Sequence, residues 1–79
     1  MLEVGQIVKS KAGHDKGDFQ VVTEIDPPYL ILCDGKRRSL ENPKRKKEMH
    51  ISPTNTVVDP NQLKTNRQIR AAIRAFLGG

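Results

Sequence analysis

Residues 4–26 read VGQIVKSKAGHDKGDFQVVTEID and carry the pattern from which the fold is predicted. Apolar residues recur at alternate positions on both sides of a short polar loop that lies between Gly13 and Gly17. Alternation with a period of two is typical of β-strands, and glycine is typical of the sharp turns that join them. We therefore expect a β-hairpin with its first strand at residues 6–12 and its second at residues 19–25.

The loop between these strands has the composition of a phosphate-binding turn. Glycine accepts positive φ angles where a chain reverses sharply or approaches a ligand closely. Successive backbone N–H groups, together with Lys16, can then face a phosphate. Lys9 and Lys11 occupy alternate positions of the first strand and are expected to point outwards together. On composition alone, an ordinary hairpin turn with a solvated lysine accounts for the loop equally well.

Two more strands are expected after this hairpin. The prolines at residues 27 and 28 should end the second strand, because proline lacks the N–H that a strand ladder needs. The apolar run at residues 29–33 then predicts a buried third strand, in which Cys33 is a small core residue. Asp34 and Gly35 predict a type I′ turn, so residues 36–40 should pair back on the third strand as the fourth.

The fifth strand is expected at residues 49–52. Alternation resumes there, which directs Met49 and Ile51 inwards, and Pro53 is expected to end the strand. Residues 54–64 are mostly polar and are expected to connect this strand to a helix.

A C-terminal amphipathic helix is expected at residues 65–77. Thr65 and Gln68 have the spacing of a capping box, in which each side chain binds the backbone of the other residue. Apolar residues then recur with helical spacing and form one stripe, made of Ile69, Ala72, Ile73, Phe76 and Leu77. We expect this stripe to pack on the strands.

The basic residues predict a polyanionic partner. Lysine and arginine number 14 against 9 acidic residues, which gives a formal net charge of +5 and a pI near 9.7. Cations that neutralise phosphates release condensed counterions, so such a balance favours nucleic acid. Seven of the 14 basic residues lie within residues 36–47, in two clusters at 36–38 and 44–47. We expect these clusters to contact a phosphate backbone, although a merely solvated charged surface has the same composition.

Other classes of protein fit the composition less well. A chain of 79 residues has room for one domain, and Cys33 as its only cysteine excludes an internal disulfide. No metal-ligand spacing, cofactor motif or base–nucleophile constellation is recognisable, so we expect no metal, no cofactor and no enzymatic activity. No apolar run reaches the roughly 18 residues of a membrane span, and no secretory signal is recognisable. The expectation is a soluble, cytoplasmic protein that does not bind membranes.

The hairpin resembles the KOW motif of ribosomal and transcription-associated proteins. The residues that carry this resemblance are Gly5 at the start of the first strand, Val8 within it, and Gly13, Lys16 and Gly17 in the loop. Gln20 departs from the general motif, which prefers a second glycine at that place. The subset that resembles the eukaryote-type large-subunit ribosomal protein fourteen tolerates another residue there.

The resemblance extends along the chain to small bacterial KOW-domain RNA-binding proteins related to that ribosomal protein. It rests on residues 3–13, 34–35, 43–47 and 53–55. What it implies is an all-β fold with a C-terminal helix, in which a small five-stranded antiparallel SH3-like (KOW) barrel occupies residues 1–53. The connection at 54–64 and the helix at 65–77 complete the single domain. The resemblance also implies that the protein binds RNA, in particular ribosomal RNA or the ribosome, and that it is a monomer when free.

Two sets of residues are expected to contact RNA. They are Lys9, Lys11, Gly13, His14, Lys16 and Gly17 of the hairpin, and Lys36, Arg37, Arg38, Lys44, Arg45, Lys46 and Lys47 of the two basic clusters. The alternative is an SH3-like protein-interaction module of the transcription or translation machinery. Against it, a groove for proline-rich peptides needs several exposed aromatic residues, and this chain has only Phe19, Tyr29 and Phe76.

Overall fold

Five antiparallel strands and one C-terminal helix make up the fold. The computed structural model describes residues 2–78. Its elements in chain order are β1 (Gln6–Ser10), β2 (Phe19–Asp26), β3 (Tyr29–Cys33), β4 (Lys44–Lys47), β5 (Ile51–Val57) and α1 (Asn66–Phe76), with short 3-10 helices at Glu48–His50 and Pro60–Gln62. In this part of the chain, the one α-helix is too short to cross a membrane.

The strands form a single sheet in the order β4-β3-β2-β1-β5. The first four strands follow one another as a meander, and the fifth returns to pair with β1. The hairpin predicted from residues 4–26 is confirmed, and so is the end of the second strand before the prolines at residues 27 and 28. Within residues 2–78, β4 and β5 are not paired with each other, so the sheet is open and the predicted closure into a barrel is not found.

Both faces of the central strands are buried. Ile7, Val21 and Cys33 form one apolar cluster together with Leu63 and with Ile69 of α1. The second cluster lies on the opposite face and contains Val8, Val22, Leu30, Leu32 and Ile51. Successive residues of β1 and β2 are therefore buried, although strict alternation predicts one exposed face.

The sheet is strongly curved over the second cluster. In a flat sheet, β4 and β1 would lie about 14 Å apart because neighbouring strands are about 4.8 Å apart. Nevertheless, Lys46 Nζ on β4 donates to the Ala12 carbonyl oxygen, just beyond β1, over 2.8 Å. A lysine side chain cannot span the distance in a flat sheet, so the two strands must bend towards each other.

The prediction of the fourth strand is wrong. Residues 36–40 form no strand, and the strand that pairs with β3 is β4, which consists of the basic run 44–47. The Asp34 carboxylate accepts hydrogen bonds from the backbone N–H groups of Lys36 (2.8 Å) and Arg38 (3.0 Å), which closes this segment into a loop. Only Gly35 adopts a positive φ (81°) in this turn, so the predicted type I′ turn does not form.

The fifth strand also differs from its prediction. It begins at Ile51 and continues through Pro53 to Val57, so the connection to the helix starts later than residue 54. Pro53 is tolerated because β5 is an edge strand that pairs with β1 alone. Ile51 is buried as predicted, but Met49 lies in a 3-10 turn with 70% of its surface exposed.

The helix confirms its predicted start and fixes the basic loop at residues 36–38. Thr65 is the N-cap residue and forms the predicted capping box with Gln68. The Asn66 side chain accepts a hydrogen bond from the Leu40 backbone N–H (2.8 Å), and Arg70 Nη1 donates to the Gly35 carbonyl oxygen (2.7 Å). The helix therefore covers one face of the sheet and holds the loop between β3 and β4.

Candidate nucleic-acid interface

The loop between β1 and β2 is closed by its own backbone. The N–H groups of Lys16, Gly17 and Asp18 donate to the carbonyl oxygens of Gly13 (3.2 Å), Ser10 (2.9 Å) and Asp15 (2.8 Å), respectively. These three amides are therefore occupied and cannot contribute to the predicted phosphate cradle. The exposed side chains of Lys16 and His14 remain available at the surface of the loop.

Asp15 joins this loop to the basic loop at residues 36–38. The residue is 2% exposed, and its Oδ2 lies 3.2 Å from both Nε and Nη2 of Arg38. We call the two loops, residues 11–18 and 36–38, the basic end. Sequence reasoning did not identify Asp15, and the only signal was the presence of two carboxylates, Asp15 and Asp18, within a basic loop.

Lys46 lies inside the fold next to the basic end. Its side chain is buried (8% exposed), and its ammonium donates to Ser10 Oγ and to the Ala12 carbonyl oxygen. Burial lowers its pKa; the carboxylates of Asp15 and Asp18 oppose this effect, and the cations Lys44 and Arg38 add to it. The predicted RNA contact at Lys46 is thus replaced by an internal role, because the ammonium fixes the end of β1 from within.

Lys46→Met is expected to change how stability depends on alkaline pH. The ordinary lysine pKa is 10.5, and the folded environment lowers that of Lys46. Between the lowered pKa and 10.5, the unfolded chain binds more protons than the folded chain, so the free energy of unfolding of the wild type should rise with pH. The Met variant lacks this contribution. Urea denaturation from neutral pH up to 10.5 should therefore show the wild type gaining stability relative to the variant.

Lys64→Met, at an exposed lysine, is the matched control for this experiment. A difference between the wild type and Lys46→Met that stays constant over the same pH range would contradict the internal placement of the ammonium.

Most of the other predicted contact residues lie at the surface. The exposed ones are Lys9, Lys11, Gly13, His14, Lys16, Gly17, Lys36, Arg37, Arg45 and Lys47, while Arg38 and Lys44 are half-buried. Four of them, Lys11, Lys16, Lys36 and Arg37, lie on the two loops of the basic end, which the ion pair between Asp15 and Arg38 joins. Lys44 adjoins this end because it pairs with Leu32, near the end of β3.

Arg45 and Lys47 lie elsewhere, on the outward face of β4. Lys47 pairs with Tyr29, the residue that follows the turn between β2 and β3. Arg45 Cζ lies 3.6 Å from the centroid of the Tyr29 ring, and Lys47 Nζ lies 6.0 Å from it. The run 44–47 thus divides between two surfaces, because alternate residues of a strand face opposite ways.

The chain matches no family model and no curated protein with which it was compared. Among residues 2–78, no three His, Cys, Asp or Glu side chains are grouped so that they could hold a metal ion. The resemblance to KOW proteins and the expectation of RNA binding both stay predictions, which rest on the residues quoted above.

Proposed function

We propose that the protein is a non-catalytic RNA-binding module of the SH3-like (KOW) class, which binds ribosomal RNA or the ribosome through its basic end. The observation that carries this proposal is the ion pair between Asp15 and Arg38 (3.2 Å), because it joins two basic segments that lie far apart in the sequence. The SH3-like class is supported by the four-stranded meander, the return of β5 to β1 and the curvature of the sheet.

The basic end is suited to phosphates. Lys11, Lys16, Lys36 and Arg37 carry exposed cationic groups on two adjacent loops. The loop backbones are held by internal hydrogen bonds, so little backbone conformational entropy is lost when these loops meet a phosphate backbone.

Recognition by RNA shape follows from the choice of side chains. Lysines bind phosphates as point charges, whereas planar side chains with fixed donors and acceptors, such as that of arginine, are better suited to reading base edges. Arg37 is the one arginine among the exposed cations of the basic end, since Arg38 is occupied by Asp15. We therefore expect the basic end to distinguish RNA by the spacing of its phosphates more than by its sequence.

A salt titration tests this function. Affinity for ribosomal RNA should fall with salt, with a slope of log affinity against log salt of about −4 if about five phosphates are contacted. The same titration with unrelated RNA and with duplex DNA of equal length measures specificity, and co-sedimentation with ribosomes tests the larger partner. We expect a preference for ribosomal RNA that persists at about 0.15 M salt.

Equal, steeply salt-sensitive binding to all three nucleic acids would contradict specific RNA recognition. Such a result would instead favour the protein-interaction alternative, in which the positive charge is not the basis of recognition.

A further inference from the structure

A groove of about 410 Å³ lies between α1 and the two loops of the basic end. Its volume falls within the roughly 300–1,000 Å³ that is typical of small-ligand sites. Three apolar side chains line it, Phe19, Ile73 and Leu77, and so do three cations, Lys36, Arg70 and Arg74. An apolar wall next to several cations is the combination that a nucleotide needs, since its base has a flat π-face that stacks on apolar groups and its phosphate is anionic.

The apolar wall is held in place by the helix. The Phe19 ring packs against Phe76 with 5.2 Å between ring centroids, and Lys9 Nζ lies 5.6 Å from the Phe19 centroid. Leu77 contributes a side chain that is 60% exposed at the end of α1. The wall is therefore apolar, with Leu77 exposed and Phe19 and Ile73 half-buried, and a base that packs on it removes apolar surface from water.

The three cationic side chains of the groove differ in whether another group of the protein holds them. Arg70 is fixed by its hydrogen bond to the Gly35 carbonyl oxygen (2.7 Å), so it shapes the groove. Lys36 and Arg74 are exposed and can follow a phosphate. Lys36 also belongs to the basic end, so an RNA strand that extends from the basic end reaches the groove next.

Two carboxylates in the lining favour a nucleotide over a simple anion as the ligand of this groove. Asp34 Oδ1 already accepts two backbone N–H groups of its own loop, whereas Asp18 is exposed and directly precedes Phe19. A carboxylate repels free phosphate or an acidic peptide. It accepts hydrogen bonds from the amino groups of bases, as Asp and Glu do from cytosine.

We propose that this groove takes one unpaired nucleotide of a bound RNA. The base packs on Phe19, Ile73 and Leu77, the phosphate lies towards Lys36 and Arg74, and Asp18 accepts a hydrogen bond from the base. This inference rests on the proposed function, and it adds to shape recognition at the basic end a preference for RNA with an unstacked base.

The test compares an RNA duplex with the same duplex carrying one bulged nucleotide. Wild-type protein should bind the bulged duplex about tenfold more tightly, since packing of one base on a protein surface has an effect of this order. In the double variant Arg74→Gln with Leu77→Ser, the ratio of the two affinities should fall to about one, because the groove loses a cation and part of its wall. Arg67→Gln is the matched control on the same helix and should keep the wild-type ratio.

Nuclear magnetic resonance provides a readout that does not depend on the variants. The Ile73 methyl signals of the wild-type protein should shift on addition of the bulged duplex and stay unchanged with the plain duplex. With both duplexes taken from ribosomal RNA, failure of the wild type to bind either of them would overturn the proposed function. Equal affinity for both duplexes, unshifted Ile73 signals, or a preference that persists in the double variant would overturn the groove inference alone.

Discussion

Gly5→Ala is expected to lower the free energy of unfolding by about 4 kcal/mol, through backbone strain and steric overlap together. Gly5 has a φ of 96°, and a Cβ at this position would overlap the carbonyl oxygen of Val58. The backbone cannot move away easily, because Gly5 N–H donates to the Val22 carbonyl oxygen (2.8 Å) and its own carbonyl accepts from Val58 N–H (2.8 Å). Urea denaturation followed by circular dichroism measures the loss.

Gly17→Ala separates the two causes of this loss. Gly17 has nearly the same φ, 91°, but apart from its two chain neighbours no residue within 2–78 comes within 4 Å of a Cβ built there. This variant should therefore carry only the backbone strain, a loss of about 1–2 kcal/mol. If both substitutions cost the same, the close approach of the Gly5 and Val58 backbones is not a feature of the folded protein.

The sequence predicts those elements whose determinants are local. The hairpin follows from alternation around Gly13 and Gly17, and the helix start follows from Thr65 and Gln68, which form their predicted capping box. In each case the residues that determine the structure lie within a few positions of one another, so no knowledge of distant contacts is needed.

The fourth strand could not be predicted because its position depends on distant contacts. Residues 34–38 close on themselves through the Asp34 carboxylate, and Arg70 of α1 donates to Gly35 in the same loop. The basic run 44–47 has low strand propensity, but its pairing with Leu30 and Leu32 of β3 places it in the sheet. Tertiary pairing thus outweighs the local preference of four consecutive cations.

The candidate site was predictable in composition but not in arrangement. Its cations were evident from the sequence, whereas the ion pair between Asp15 and Arg38 joins residues that are 23 positions apart. The burial of Lys46 follows from the curvature of the sheet, which no short pattern encodes. Two of the residues that hold this region together, Arg38 and Lys46, are therefore ones that charge patterning assigned to RNA, and the third, Asp15, was not identified.

This arrangement determines which substitutions test RNA binding cleanly. Reversal of Arg38 would place a new carboxylate beside Asp15 and separate the two loops, so a loss of affinity could reflect a damaged fold. Arg45 and Lys47 lie with Tyr29 on another surface. Lys36 and Arg37 are exposed in the loop at residues 36–38, and the structure gives neither side chain an ion pair within residues 2–78. They are the residues to change.

Lys36→Glu with Arg37→Glu is expected to lower the affinity for ribosomal RNA about 100-fold at low salt. The slope of log affinity against log salt should also become shallower, by the contribution of about two phosphate contacts. The loss arises because two phosphate-neutralising cations become repelling carboxylates on the loop that Arg38 fixes to Asp15. Fluorescence anisotropy over a range of salt concentrations measures both quantities. The matched control is Lys64→Glu with Arg67→Glu, at exposed positions outside the basic end, because either pair of reversals changes the net charge by −4, from +5 to +1. Equal losses in the two double variants would show that overall charge, and not the basic end, governs binding.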